Sequence, residues 1–591
     1  MANLVSPGYK NSALVNTILA PYKVHNIEFK GLNRRSYFDE GEMSDMRGLC
    51  SDAYPFLAPR KPMDADFINS SVKKVDEVIT RFGHICAIVK KNGDNSNVRR
   101  FSWDDTIDTS FSLSVGNEIV AINNYIVLTK DKILIKLSAD HTTYTVENIE
   151  INFTTGSGTL CNVTISGEYA RINFVTHTLQ TDPEFKADDV ITLSGELSYT
   201  DSNNSSQTIS GFETTCLIED VKQQGSNTYF YTSKETFTAY TGEGATNISI
   251  EAASGGTASA SRSMPDLTHC IEWNNRLWGV NDTDNTIYAS KLGDPTNWQY
   301  YQGTNMDSYY AQQGTDGVFT GCAQYSNHLI FFKQEIMTKI YGTSPSNYQL
   351  SNVICFGVKD GYEKSVTVVN DCVFYYSLRG FVAYQGGLPY PIGEKLCLTD
   401  RNGITLNSIS CDTDGTKLFA FVYVQDADEY AWTEVYCLDI ERAAWFIYHR
   451  TGYEVCASFH VNGQLMFFED DSVHADRYYI IDQNYEATLQ EYASDPWWAT
   501  FGPFTEYIEN ERIYSKIGVR FKAWTGAHFK IYISENEGAW EQVYEYNPAS
   551  TQGDFVYIVP RRCDRYSIKL DGAGKIEIQS LTRHIRTGSE V

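Results

Sequence analysis

Short apolar runs, each preceded by a polar turn pair, recur along the middle of the chain. In every unit the pair leads into about four mostly apolar residues and then into a second short strand-like segment. The turn pairs are Asn274-Asn275, Ser326-Asn327, Asn370-Asp371, Asp414-Gly415 and Asn462-Gly463. Successive pairs lie 44 to 52 residues apart. A period of this size, with several short strands per unit, is typical of β-propeller blades.

The residue types in these pairs predict tight hairpins, because Asn, Asp and Gly accept the positive φ that two-residue turns require. The apolar runs, such as residues 329–332, predict strands buried on both faces between neighbouring blades. A sixth unit lies upstream, where Asn123-Asn124 precede another apolar run. Its distance from the next unit exceeds the usual blade period by about one hundred residues, which indicates an insertion.

The chain divides along this pattern. Residues 1–63 have little periodicity and predict an N-terminal arm, and residues 64–141 predict the first propeller blades. Residues 142–265 are rich in Thr, Ser, Asn and Gly and predict an inserted β domain. Residues 266–492 hold the remaining blades, and residues 493–591 predict a C-terminal β-sandwich. The expected fold is all-β: a β-propeller of about six blades with an inserted β domain and a C-terminal β-sandwich.

Composition narrows the class of function. Tyr, Phe and Trp make up 14% of the residues, which suits pleated, half-buried surfaces. The formal net charge of −26 disfavours a protein that grips nucleic-acid phosphates. The sequence has no run of about 18 apolar residues, so we expect no stable membrane insertion. The 13 cysteines are scattered without a C-x-x-C pair and predict buried thiols rather than metal ligands.

Known catalytic motifs are missing from the sequence, which has no H-E-x-x-H, no G-x-S-x-G, no Walker loop and no dinucleotide-binding fingerprint. The segment Asp412-Thr413-Asp414-Gly415 is similar to a calcium loop or to the aspartate box of sialidase propellers. It lacks the Glu of the first and the Trp of the second, and therefore predicts a hairpin turn. The residues predict no catalytic group, no cofactor and no metal, and hence a chain that is not an enzyme.

Two features leave carbohydrate chemistry open. Asp and Glu are plentiful in loops, so a pair of carboxylates suited to glycoside hydrolysis remains an alternative, although nothing in the sequence singles out a pair. Exposed aromatic side chains could also form a platform for sugars. The positions considered are Trp497-Trp498, Tyr300-Tyr301 and Tyr309-Tyr310.

Three stretches carry a family resemblance. The first runs from Gly41-Glu42-Met43 to Tyr54-Pro55-Phe56-Leu57-Ala58-Pro59-Arg60. The second joins Asn274-Asn275-Arg276-Leu277-Trp278-Gly279 to Gly293-Asp294-Pro295-Thr296-Asn297-Trp298. The third runs from Pro560-Arg561-Arg562-Cys563-Asp564-Arg565-Tyr566 to Gly572-Ala573-Gly574. Together they resemble the bacteriophage tail nozzle proteins, the tail tubular protein B or stabilization protein group.

The resemblance implies a structural component of a bacteriophage virion tail. It implies a homo-oligomer, a hexameric ring that docks on a tail adaptor or connector and other tail proteins. An acidic channel would serve genome retention and ejection, with double-stranded DNA passing through without sequence-specific contacts. The chain would be assembled in the host cytoplasm and located in the virion tail. Gly41, Arg561 and Arg562 are expected only to shape loops.

Two alternatives come from other classes. One is a propeller-based host-glycan binding protein or glycoside hydrolase, which paired Asp/Glu residues at a propeller mouth would favour. The other is a cellular scaffold propeller, against which self-assembly into a ring would count.

Overall fold

The computed structural model describes residues 22–175, 184–225, 227–398, 403–471, 477–504, 512–546, 552–557, 561–563 and 565–587. The chain first forms short strands that pair with distant parts of the fold. They are β1 (Tyr22–Asn26), β2 (Gly31–Leu32), β3 (Glu42–Met43), β4 (Asp45–Arg47), β5 (Leu49–Cys50), β6 (Ala58–Pro59) and β7 (Asp64–Phe67).

Two blades precede the insertion. Blade one consists of β8 (Val72–Arg81), β9 (His84–Lys91), β10 (Arg100–Trp103) and β11 (Thr106–Ile107). Blade two consists of β12 (Ile119–Ile122), β13 (Tyr125–Leu128), β14 (Ile133–Leu137) and β15 (Tyr144–Asn148). In each blade the strands are antiparallel and follow one another in chain order.

The inserted domain is one large antiparallel sheet with a short helix. Its strands are β16 (Ile151–Thr155), β17 (Thr159–Ser166), β18 (Tyr169–Phe174), β19 (Val190–Thr200), β20 (Ser206–Leu217), β21 (Asp220–Gln224), β22 (Asn227–Ser233), β23 (Thr246–Glu251) and β24 (Ala258–Arg262), and its helix is α1 (Glu235–Thr241). The sheet encloses its own apolar core, which includes Phe174, Leu193 and Phe230. At its root Arg262 and Asp189 form a buried ion pair of 2.7 Å.

The remaining blades follow the insertion. Blade three is β25 (His269–Trp273), β26 (Arg276–Asn281), β27 (Thr286–Ala289) and β28 (Tyr309–Gln312); blade four is β29 (Phe319–Tyr325), β30 (His328–Lys333), β31 (Ile336–Tyr341) and β32 (Gln349–Ile354). Blade five is β33 (Thr367–Val369), β34 (Cys372–Ser377), β35 (Gly380–Tyr384) and β36 (Tyr390–Pro391); blade six is β37 (Ile404–Thr413), β38 (Lys417–Asp426), β39 (Ala431–Asp439) and β40 (Ala444–Thr451). Blade seven begins with β41 (Val455–Val461), β42 (Gln464–Glu469) and β43 (Arg477–Asp482). Single turns of 3-10 helix lie at Pro345–Asn347, Glu363–Ser365 and Glu394–Leu396.

A strand from the N-terminal arm closes the ring. Strand β7 pairs antiparallel with β43 and becomes the outer strand of blade seven, with Asp66 opposite Tyr478. The inner strand of blade seven, β41, packs against β8 of blade one. The two ends of the propeller are therefore joined by backbone pairing as well as by side-chain packing.

Apolar side chains fill the space between neighbouring blades. Ile88 of blade one packs with Ile126 of blade two, and Val89 on the other face of β9 packs with Phe468 of blade seven. Burying such a side chain contributes about 1.5–3 kcal/mol. Each blade is thus stabilised by both of its neighbours, which is why its middle strands are apolar on both faces.

The predicted fold class is confirmed, and the described residues contain seven blades where about six were expected. The turn pairs do form the hairpins between the first and second strands; Asn274 and Asn275, for example, have φ of 50° and 59°. The turn-pair pattern did not mark blade one, because its hairpin turns at Phe82-Gly83, and Phe82 is not a typical turn residue.

The C-terminal residues form two facing sheets that include strands of the arm. After the helix α2 (Leu489–Ser494) come β44 (Pro496–Phe504), β45 (Arg512–Ala523), β46 (His528–Glu535), β47 (Glu541–Tyr546), β48 (Gln552–Tyr557), β49 (Arg561–Cys563), β50 (Tyr566–Ala573) and β51 (Ile576–Thr587). One sheet takes in β1 beside β51, and the other takes in β4 beside β44. Their shared core is continuous with that of blades five and six, where Trp445 lies. The sandwich and the propeller are therefore packed as one body.

None of the helices in the described part of the chain has the length and apolar content needed to cross a bilayer.

Candidate active site in the central channel

The inner strands of the seven blades line a channel that contains two cavities. The larger cavity, of about 730 Å³, is the upper chamber; its lining includes Asp76, Glu77, Glu118, Glu363 and Glu454. The smaller cavity, of about 540 Å³, is the lower chamber; its lining includes Thr80, Asp412, Phe459 and His460. In β8, β37 and β41, the residues with lower numbers line the upper chamber and those with higher numbers line the lower chamber. The upper chamber therefore lies at the N-terminal ends of the inner strands.

A β-bulge brings two consecutive carboxylates into the upper chamber. In a regular strand neighbouring side chains point to opposite faces. The pairing of β8 with β9 shifts between Val75 and Glu77, which leaves Asp76 as an extra residue. Bulges redirect side chains in this way and are frequent beside functional sites. Asp76 and Glu77 consequently both line the cavity, and Asp76 is ion-paired with Arg99.

Glu77 occupies an environment that favours its neutral form. Its side chain is 32% exposed and lies 3.1 Å from the ammonium of Lys364. Burial raises the pKa of Glu77 above its usual value, although the charge of Lys364 acts in the opposite direction. Lys364 also donates to the backbone carbonyls of Asp76 at 3.0 Å and Cys456 at 3.4 Å. Glu77 is thus a carboxyl group that keeps its proton to a higher pH than a free glutamic acid.

Glu118 is held by two donors from blade three. One carboxylate oxygen accepts from the backbone N–H of Cys270 at 3.1 Å, and the other lies 3.4 Å from Nδ1 of His269. The Nε2 atom of His269 lies 3.2 Å from the carbonyl oxygen of Phe319, which can only accept, so Nε2 carries a proton; Nδ1 donates to Glu118 when the imidazole is protonated at both nitrogens. Burial lowers the pKa of His269, but the hydrogen bond to Glu118 and the charge of that carboxylate raise it more. The net pKa of His269 lies above its ordinary value.

Glu454 and Glu363 complete the acidic lining. Glu454 accepts a hydrogen bond of 2.7 Å from the hydroxyl of Ser408. Glu363 lies beside Lys364 in the sequence and is exposed to the chamber. The chamber therefore combines a carboxyl group with a raised pKa and other carboxylates in more polar surroundings. Such contrasting environments suit one group to act as an acid and another as a base or nucleophile.

Sequence reasoning missed this cluster. It predicted no catalytic residue, because the carboxylates come from different blades and are far apart in the chain. One local signal was present: consecutive Asp76 and Glu77 interrupt the alternation of β8. Within the described residues no group of three or more His, Cys, Asp or Glu is placed to hold a metal ion.

The segment from Asp412 to Gly415 forms the hairpin between β37 and β38, the geometry of a turn. Asp414 accepts from the backbone N–H groups of Thr416 and Lys417 at 2.8 and 2.7 Å. Asp412 instead reaches the lower chamber, where it lies 2.8 Å from Nδ1 of His460 and raises the pKa of that imidazole.

The aromatic positions proposed as a sugar platform do not meet in the channel. Trp497 is buried in the core that the sandwich shares with the propeller. Tyr301 and Tyr310 contact each other on the outer side of blade three, with ring centroids 5.8 Å apart. The upper chamber is therefore lined by charged side chains together with aliphatic residues, glycines and cysteines, and these aromatic positions are not part of it.

The residues that carried the family resemblance have local structural roles. Gly41 has φ of +88°, and the buried Glu42 beside it accepts from Asn33 and from the backbone of Asp39. The indole N–H of Trp298 donates to the carbonyl oxygen of Pro295 at 2.9 Å and closes the turn after blade three's third strand. Arg561 and Arg562 lie in β49, while Pro560 and Asp564 fall outside the described residues.

Comparison with known proteins identifies no family. No family model matches the chain, and no curated protein matches it. Among solved structures, exo-β-1,3-galactanase of Phanerochaete chrysosporium with galactose is 9% identical, has a TM-score of 0.21, and aligns over 53% of this chain and 95% of its own. Hsv2p of Kluyveromyces lactis is 10% identical, with a TM-score of 0.21 and coverage of 66% and 99%. The extracellular domain of a one-component system from B. thetaiotaomicron is 8% identical, with a TM-score of 0.16 and coverage of 92% and 98%.

These comparisons correct several predictions. The resemblance to the tail nozzle group, and with it a structural role in genome retention and ejection, is wrong: no family model, and therefore no tail family, matches the chain. The prediction that the chain is not an enzyme is also corrected, because the structure brings several carboxylates into one chamber. Location in a virion tail was implied by the same resemblance and falls with it. The motifs misled because their residues serve turns and buried contacts in this fold. The hexameric ring and its partners are tested by none of these findings.

Proposed function

We propose that this protein hydrolyses glycosidic bonds in the upper chamber of its propeller, with Glu77 as the general acid. The observation that carries the proposal is the placement of Glu77, a half-buried carboxyl group with a raised pKa, in a cavity lined by further carboxylates. Glycoside hydrolysis requires one carboxylic acid to protonate the leaving oxygen and one carboxylate to activate water or attack the sugar.

Glu118 is our candidate for the second carboxylate, because its charge acts directly on Glu77 and raises the pKa of that group. The N–H of Cys270 and the ring of His269 fix the orientation of Glu118, as a base or nucleophile requires. Glu454 is a further candidate, oriented by Ser408. A cavity of about 730 Å³ is large enough for a sugar residue and lies within the usual size of ligand pockets.

The reaction balances with water as the only co-reactant. Glu77 would give its proton to the glycosidic oxygen as the bond from that oxygen to the anomeric carbon breaks. The oxygen of water would form the new bond to the anomeric carbon, directly or after a glycosyl intermediate on the second carboxylate. The proton that this water loses would go to the second carboxylate in the direct route, from which exchange with solvent restores Glu77, and to Glu77 itself when an intermediate forms.

A screen of nitrophenyl glycosides and unmodified oligosaccharides tests the proposal. We expect the wild-type protein to release sugar from at least one of them, and Glu77→Gln to lower kcat by about 10²–10⁴-fold. Glu469→Gln is the matched control, because Glu469 is also a buried glutamic acid with a raised pKa but lies outside both chambers. Full activity in Glu77→Gln, or no hydrolysis of any glycan by the wild-type protein, would refute the proposal.

A further inference from the structure

The upper and lower chambers lie end to end along the channel and share part of their lining. The shared residues are Glu77, Lys364, Val366, Ser410 and Cys456. The boundary between the chambers therefore coincides with the Glu77–Lys364 ion pair. A linear chain that entered the upper chamber would have to pass this boundary to continue through the propeller.

Lys364 spans the channel at that boundary. It lies on the 3-10 turn that precedes β33 of blade five. Its ammonium reaches Glu77 on β8 of blade one and the carbonyl oxygen of Cys456 on β41 of blade seven. The side chain thus extends past blade six to the opposite part of the ring. Three acceptors on two strands hold it there, since it also bonds the carbonyl oxygen of Asp76.

Building on the glycosidase function proposed above, we propose that Lys364 closes the floor of the upper chamber and makes the protein act only on the ends of glycan chains. A terminal sugar residue fits a chamber with a closed floor, whereas an internal residue carries chain on both sides. The position of Lys364 across the channel leaves space for chain on the entry side only. Lys364 is therefore a residue that determines specificity through its bulk.

Two substitutions separate the bulk of Lys364 from its charge. Lys364→Ala removes both and joins the two chambers. Lys364→Met removes the charge but keeps a side chain of similar length across the channel. Both leave Glu77 without its ion-pair partner, so any difference between the variants reports on the floor of the chamber.

The assay uses a hexasaccharide of the linkage that the wild-type protein cleaves, either unmodified or chemically capped at both ends. We expect the wild-type protein and Lys364→Met to release single sugars from the unmodified substrate and to leave the capped one intact. Lys364→Ala should cleave the capped substrate internally, at least about tenfold faster than the wild-type protein. Removing one obstructing side chain from a pocket typically changes selectivity by about this factor.

The outcomes distinguish this inference from the proposed function. Internal cleavage of the capped substrate by the wild-type protein would overturn the role of Lys364 while leaving glycoside hydrolysis intact. This test uses the wild-type protein alone and does not depend on the folding of any variant. Identical product patterns from Lys364→Ala and Lys364→Met would also overturn it. Failure to hydrolyse any glycan would overturn both proposals.

Discussion

Arg34 connects the N-terminal arm to blade six, and replacing it with Met should destabilise the protein by about 3 kcal/mol. The Arg34 side chain is 11% exposed and lies 3.2 Å from the carboxylate of Glu434, whose side chain is fully buried. It also donates to the hydroxyl of Tyr436 at 2.6 Å. Methionine retains much of the apolar stem but removes the charge and these hydrogen bonds.

The size of the expected loss in stability depends on which cations still contact the buried carboxylate of Glu434. Removing one partner of a buried ion pair costs roughly 3–5 kcal/mol, because the other charge stays buried. Arg450 still pairs with Glu434 after the substitution, so the cost should lie at the low end of that range.

The free energy of unfolding is measured by urea titration, followed through tryptophan fluorescence, for the wild-type protein, Arg34→Met and Arg35→Met. Arg35 is the matched control, because it is the next residue in the chain and is exposed. Its replacement should change stability by less than about 0.5 kcal/mol. A loss below about 1 kcal/mol in Arg34→Met, or equal losses in both variants, would show that this ion pair does not anchor the arm.

Other consequences are measured by similar means. Lys364 lowers the pKa of Glu77, so Lys364→Met should move the alkaline limit of kcat to higher pH, and a limit that stays in place would exclude Glu77 as the acid. Burial raises the pKa of Glu469 from 4.5 to about 7, so this group stabilises the fold below pH 4.5, and its contribution is lost as the pH rises through about 7. Glu469→Gln should therefore reduce the difference in unfolding free energy between pH 4 and pH 8 by up to about 3 kcal/mol, measured by denaturation at both pH values. Gly41→Ala should lower the melting temperature, because the φ of Gly41 is +88° and a Cβ there would lie 2.1 Å from the carbonyl oxygen of Glu28. Gly83→Ala is the control, since Gly83 also has a positive φ but has open space around the position of a Cβ. An unchanged melting temperature in Gly41→Ala would contradict the prediction.

The architecture was largely predictable because it repeats. Hairpin turns need residues that accept positive φ, and Asn, Asp and Gly supplied that signal in six of the seven blades of the described chain. Blade one lacked the signal, and its inner strand also carries charged residues that face the channel. From sequence alone, an inner strand that carries charged residues cannot be distinguished from a strand on the surface.

The candidate site could not be predicted in the same way. Glu77, Glu118 and Glu454 belong to the inner strands or adjoining turns of blades one, two and seven, and only ring closure brings them to one chamber. The bulge at Asp76 adds a second obstacle, since a regular alternation would place Asp76 and Glu77 on opposite faces. Turn chemistry is local, whereas the chamber depends on contacts across the whole ring.

The chamber therefore depends on β7, the strand that closes the ring, and a proline in that strand tests this dependence. The amides of Ala65 and Phe67 bond the side chains of Asp64 and Asp66 at 2.8 Å, so by alternation the amide of Asp66 faces β43. Asp66→Pro removes that donor opposite Tyr478 and also the carboxylate that accepts from the hydroxyl of Tyr478 at 3.3 Å, and should cost about 1–3 kcal/mol.

Ala65→Pro is the matched control, because its amide lies on the outer side of β7 and edge strands tolerate proline there. We expect Asp66→Pro to lose activity at temperatures where the insert and sandwich are still folded by circular dichroism, because β41 and β8 separate and move Glu77 away from the other carboxylates. Ala65→Pro should keep most of its activity. Equal activity in the two variants would show that side-chain packing between blades one and seven closes the ring without β7.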